Sequence, residues 1–73
     1  MPGATLDTLA PGDTATVAGF RGEVPARLLE MGLVPGTTVE VVRLAPLGDP
    51  MELRVRGFLL TVRKEEAASI EVQ

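Results

Sequence analysis

Apolar and polar residues alternate most regularly between Met51 and Val62. In MELRVRGFLLTV, Met51, Leu53 and Val55 share one parity before Arg56-Gly57, and Phe58, Leu60 and Val62 share one parity after it. A period of two on both sides of a glycine-containing dipeptide predicts a β-hairpin. A two-residue loop at Arg56-Gly57 pairs Val55 with Phe58, Leu53 with Leu60 and Met51 with Val62, all six on the core face. The same register sets Arg54 beside Leu59 and Glu52 beside Thr61 on the opposite face. Arginine suits the first loop position less well than Asn or Asp, so a loop one residue longer is the alternative.

A second strand is predicted over TTVEVVRL, Thr37 to Leu44, where Val39 and Val41 alternate but Val42 and Leu44 fall on the other parity. That change of phase predicts a bulge or sharp bend. The segment before it, EVPARLLEM from Glu23 to Met31, reads as a short helix with Pro25 at its first position and Gly32 as its stop. With Gly32 left-handed, Leu33 is expected to fold back on Leu28 in a Schellman ending. Pro35-Gly36 then forms a type II turn into the strand, proline fixing φ and glycine accepting φ > 0. The same L-x-P-G-x-x-x-x-V pattern occurs at Leu9 to Val17 and at Leu33 to Val41, each a turn feeding a strand. Two copies are too few for a repeat architecture, and they read as two similar turns. After a proline- and glycine-rich loop, Ala45 to Pro50, and the hairpin, RKEEAAS makes a helical turn and Ile70-Glu-Val72 a last strand with Ile70 and Val72 inward.

The expected fold is mainly β: about five short strands, one short helix between the first and second, closed into a small barrel that covers its edges. Gly19 and the phase change near Val42 supply the bends that closure needs. A chain of 73 residues is expected to form a single domain over 1–73.

Composition narrows the chemistry. Cysteine and histidine are absent, which removes disulfides, thiolates, imidazole bases and the usual zinc ligands. Without an activating base, and with Lys64 the single lysine, the threonines are strand formers rather than nucleophiles. Neither G-x-x-x-x-G-K-[ST] nor G-x-G-x-x-G occurs, so no nucleotide cofactor is expected, and the chain is read as no enzyme. Glu65, Glu66 and Asp49 lack the spacing of a calcium loop and are expected to be solvated, so no metal site is assigned. A net charge of -3 argues against nucleic-acid binding, and no run approaches the ~20 apolar residues of a membrane span. The start, MPGATLDTL, lacks a signal-peptide pattern, so a cytoplasmic protein without direct membrane insertion is expected.

Candidate contact residues remain. Leu47 lies in a loop between prolines, Leu59 faces away from the hairpin core, and Arg27, Leu28 and Met31 occupy a helix too short to bury every side. Together they predict a protein-interaction surface. Arg54, Arg56, Arg63 and Lys64 cluster around the hairpin and read first as ordinary solubilising charge; with no aromatics interleaved to stack bases, a protein contact is their better functional use. A strand edge left open would allow a weak homodimer, and closure would leave a monomer.

The order of L-x-P-G, RLLEMGLVPG, VVRLAPLGDPMELRVRG and LTVRKEEAASIEV resembles the FeoA family, small bacterial proteins that accompany the ferrous-iron transporter FeoB. The most specific pieces are Leu28 to Gly36, Ala45 to Pro50, and Leu59 or Leu60 leading to Arg63-Lys64. The resemblance implies an SH3-like β-barrel and a cytoplasmic accessory role in iron uptake through contact with FeoB, with Arg27, Leu28, Met31 and Leu47 as contact residues. Its family-level association with transition-metal ions assigns no ligand in a chain lacking His and Cys. The same domain type resembles the C-terminal barrel of DtxR-type metal-dependent repressors. Since no helix-turn-helix is present, the alternative is a free-standing regulatory domain acting by protein contact.

Overall fold

The left-handed residue Gly32 (φ +104°) ends helix α1 (Ala26–Glu30) as its position in RLLEMGLVPG requires. The Leu33 amide donates to the Leu28 carbonyl and the Gly32 amide to the Leu29 carbonyl, each at 3.0 Å, the two bonds of a Schellman ending. Leu28 and Leu33 are both fully buried. Pro25 stands at the cap, so the helix begins one residue later than the sequence pattern predicts.

The computed structural model describes residues 4–73. Six strands, β1 (Ala4–Thr5), β2 (Thr14–Phe20), β3 (Thr38–Leu44), β4 (Met51–Val55), β5 (Phe58–Val62) and β6 (Ile70–Val72), form one antiparallel sheet in the order β1-β6-β2-β3-β4-β5. Helix α1 connects β2 to β3, and a four-residue helix α2 (Lys64–Ala67) connects β5 to β6. Two expectations are corrected. Among the described residues there are six strands rather than about five, and the hydrogen-bonded ladder does not close into a barrel, since β1 and β5 are edges. The extra strand, β1, has two residues, too short for alternation to register, and gives way at once to the 3₁₀ turn Leu6–Thr8. As β1 comes first, α1 lies between the second and third strands.

Register follows the side-chain pattern. Val55 faces Phe58, Leu53 faces Leu60 and Met51 faces Val62, as a two-residue loop demands. Arg56 (φ +54°) and Gly57 (φ +83°) give that loop the two positive φ values of a type I′ turn. The ladder between β3 and β4 slips between Val41 and Arg43, making Val42 the bulge, and β2 slips against β6 between Val17 and Gly19.

The repeated L-x-P-G segments have a structural reason. Each forms its turn, with Asp13 N–H donating to the Ala10 carbonyl (2.9 Å) and Thr37 N–H to Val34 (3.1 Å). Each turn also braces the strand that follows the other: Gly12 N–H donates to Val41 (2.8 Å), and Gly36 N–H donates to Val17 (2.8 Å). Strands β2 and β3 pair with Ala15 opposite Val39, so the two segments are related by a local two-fold.

The core is almost wholly aliphatic: Leu6, Val17, Val39, Val41, Leu53, Val62, Ile70 and Val72 join Leu28 and Leu33, with Phe20 packed at its margin. Truncating Leu28 to Ala is expected to reduce unfolding free energy by about 2–5 kcal/mol. Its partly exposed neighbour Leu29 truncated in the same way should cost well under about 1 kcal/mol. Urea denaturation of the two variants measures the difference, and equal costs would refute the assignment of α1's inner face.

Candidate protein-docking surface

Three of the large apolar side chains that this small core leaves outside gather at the hairpin and at the end of α1. Phe58 is 74% exposed, Leu59 57% and Met31 47%. With Glu30 and Leu60 they line a groove of about 290 Å³ between the C-terminal end of α1 and the edge strand β5. β5 pairs only with β4 among the described residues, so this groove borders an open sheet edge. Leu59 sits directly opposite Arg54 on the outer face, and Thr61 opposite Glu52. Thr61 and Glu52 line a second hollow of about 430 Å³ with Arg43, Leu44, Pro46 and Pro50 beneath the 45–50 loop. Leu47, 96% exposed, projects from that loop.

The residues expected at this surface divide. Met31 and Leu59 share the groove, with Arg54 across the ladder from Leu59, and Leu47 stands on the loop beyond the other end of the hairpin. Arg27 is half exposed and bonds Glu66 of α2, its Nη2 lying 2.6 Å from Oε1. Leu28 is not at the surface, contrary to its expected outward position. The Schellman ending that brings Leu33 back over it puts both in the core. The register also placed Phe58 on the core face, yet its side chain is exposed. It is the first residue after the loop, where the sheet extends past the interior it covers. Its place beside Gly57 is the signal that marks it as a tip residue.

Charges are mostly neutralised in pairs: Arg54 with Glu40 (3.4 Å), Arg43 with Glu52 (3.2 Å), Arg21 with Glu71 (2.7 Å). Lys64 Nζ donates to the Asp7 carbonyl at 3.1 Å. The cationic cluster expected around the hairpin is therefore no continuous basic patch. Two carboxylates read as merely solvated have structural work. Asp49 accepts the Lys64 backbone N–H at 2.9 Å, and Glu66 reaches back to the Arg63 N–H at 3.0 Å. Glu three residues after the cap position is the sequence signal for the second bond. Asp49 thereby fastens the loop bearing Leu47 to the first turn of α2. No group of three or more His, Cys, Asp or Glu is placed to hold a metal among the described residues, and no helix is long and apolar enough to cross a membrane.

The model of the FeoA domain family matches residues 4–73. An Fe(2+) transport protein A/Fe(2+) transporter FeoB fusion protein from Porphyromonas gingivalis is 43% identical over 70 residues, 93% of this chain, which spans 8% of the fusion's length. The solution structure of a FeoA-like protein from Clostridium acetobutylicum superposes with a TM-score of 0.89 at 36% identity, covering all of this chain and 87% of that one. FeoA from Stenotrophomonas maltophilia, an SH3-domain protein solved with zinc, superposes at 0.80 with 28% identity, covering 94% and 88% of the two chains. The architecture is thus SH3-like. A manganese-dependent transcriptional repressor superposes at 0.86 with 19% identity over 99% of this chain and 36% of its own, a likeness of fold alone.

Replacing Asp49 by Ala should cost about 1 kcal/mol, as for loss of a helix cap. The Lys64 amide should then exchange faster with solvent, measured by hydrogen–deuterium exchange. An unchanged Lys64 exchange rate would show that the loop is held by other contacts.

Proposed function

The chain belongs to the FeoA family, and on that premise we propose that it is a non-enzymatic accessory protein of bacterial ferrous-iron uptake, acting in the cytoplasm by binding the transporter FeoB. The observation that carries this reading is the Porphyromonas gingivalis relative, whose name joins transport protein A and FeoB in one polypeptide. Two functions joined covalently operate side by side, and separate chains serving the same process must instead meet through a surface.

The surface assigned to that meeting is the groove of Met31, Phe58 and Leu59 beside the edge of β5, extended along the outer face by Arg54 and reaching Leu47. Apolar side chains exposed together, rimmed by paired charges, suit a docking face whose centre excludes water and whose rim stays polar. Phe58 and Met31 are the natural anchors, large and unpaired. Arg27, engaged with Glu66, belongs to the rim, and Leu28 acts only by shaping the helix from within. In this role the chain carries no iron itself. A free-standing regulatory domain is the second reading, favoured by the repressor's likeness of fold.

Titrating the purified chain into detergent-solubilised cognate FeoB, in apo, GDP and GTP-analogue states, tests the reading. Saturable binding is expected, weakened at least about tenfold by Leu59→Asp and by Phe58→Ser, as for loss of a contact worth about 1.4 kcal/mol. Both variants should remain folded, since neither side chain is in the core. A folded parent that binds in no nucleotide state would overturn the proposal and leave the regulatory-domain reading.

A further inference from the structure

Among the cationic side chains of the described residues, Arg56 alone bonds neither a carboxylate nor a backbone carbonyl. Arg21, Arg27, Arg43, Arg54 and Arg63 each lie within 4.0 Å of a carboxylate, and Lys64 holds the Asp7 carbonyl. Among the described residues the one acceptor of the Arg56 side chain is the Thr37 hydroxyl, 3.5 Å from Nη2. Thr37 is 8% exposed, and its own hydroxyl proton has no acceptor among the described residues. These groups face a hollow of about 540 Å³ lined by Pro35, Gly36, Thr37, Thr38 and Arg56, with no carboxylate in its walls.

The backbone makes the placement of Arg56 more telling. Among the described residues Arg56 is the one non-glycine with positive φ, +54°, at a loop position where Asn, Asp or Gly is conformationally cheaper. Its side chain is also directed: a Cβ added to Gly32 would meet Arg56 Nε at 3.5 Å and Cδ at 3.6 Å, so the stem lies across the glycine that ends α1. A guanidinium held over a hollow at a conformational cost, with Nη2 on the Thr37 hydroxyl and no carboxylate in the walls, is arranged to receive an oxyanion.

We propose that Arg56, with the hydroxyl of Thr37, is a binding site for a single carboxylate presented by a protein partner. One fixed cation matches one negative charge, and the chain's net charge of -3 opposes a ligand carrying many phosphates. The surroundings favour a side-chain carboxylate over a free ion. Met31 of the apolar groove precedes Gly32, across which the Arg56 stem lies, and Phe58 follows the Arg56-Gly57 loop, so residues of the hollow and of the groove adjoin at the end of α1. The complementary segment is apolar with one acidic residue at its end. The site does not depend on which protein supplies that segment, so it stands or falls apart from the transporter assignment.

The test is a nitrogen-15 NMR titration of the whole chain with sodium acetate, then with inorganic phosphate, against sodium chloride at equal ionic strength. Acetate should give saturable shifts at the Arg56 Nε–H and the Thr37 and Thr38 amides. Arg56→Asn should weaken that response at least tenfold while leaving the melting temperature equal or higher, because Asn suits the turn. Thr37→Val should weaken it without touching the turn, and Arg21→Gln, which removes a paired cation outside the docking surface, should leave it intact. Shifts that rise linearly with acetate, or that persist in Arg56→Asn, would overturn the site. Phosphate saturating the same amides at tenfold lower concentration would overturn its assignment to a carboxylate.

Discussion

A helix of five residues ends with as many unsatisfied carbonyls as a long one, and Gly32 is the residue that disposes of them here. Its left-handed backbone turns the Leu33 amide onto Leu28 and the Gly32 amide onto Leu29. A side chain at that position would meet strain of about 1–2 kcal/mol from its own backbone. Three outcomes depend on the reversal. Leu28 and Leu33 enter the core together, the chain is aimed into Pro35-Gly36 and β3, and the bare glycine leaves the ledge over which Arg56 lies.

With an aliphatic core and no Trp or Tyr, the molecule has little apolar material to spare. That gives significance to the apolar side chains left outside. Phe58, Leu59 and Met31 are withheld from a core that is short of them, and they are withheld in one place. Most charges, by contrast, are spent on one another, through cross-strand pairs such as Arg54–Glu40 or bridges such as Arg27–Glu66. Such exposed pairs contribute at most about 1 kcal/mol each, but they leave the outer surface with few free charges.

What the sequence makes legible is what local rules decide. The β4–β5 register follows from alternation and a two-residue loop, the end of α1 from a glycine followed by leucine, and the bulge at Val42 from a change of parity. Closure of the sheet is not local: it requires β1 to meet β5, and a two-residue strand carries no pattern from which that could be judged. Exposure at the hairpin tip escapes for a related reason. Alternation reports which face a residue is on, not whether the core extends beneath it, so Phe58 has the right face and nothing below. Leu28 illustrates the converse. On a one-turn helix the pattern is too brief to separate inner from outer positions, and burial is decided by where the reversed chain returns. The tie of Asp49 to Lys64 spans the hairpin and has no signature at either end.

The pairing of β1 with β6 places Ala4 opposite Val72, so the two ends of the described chain lie on adjacent strands, within about 5.5 Å backbone to backbone. A domain built this way has a single point of attachment whichever end carries a linker. A domain tethered there by a short flexible linker would be presented to its neighbour at an effective concentration in the millimolar range. A contact too weak to assemble two dilute chains would then be occupied most of the time. The linker would take over much of the work of association, and the face would need only to supply orientation.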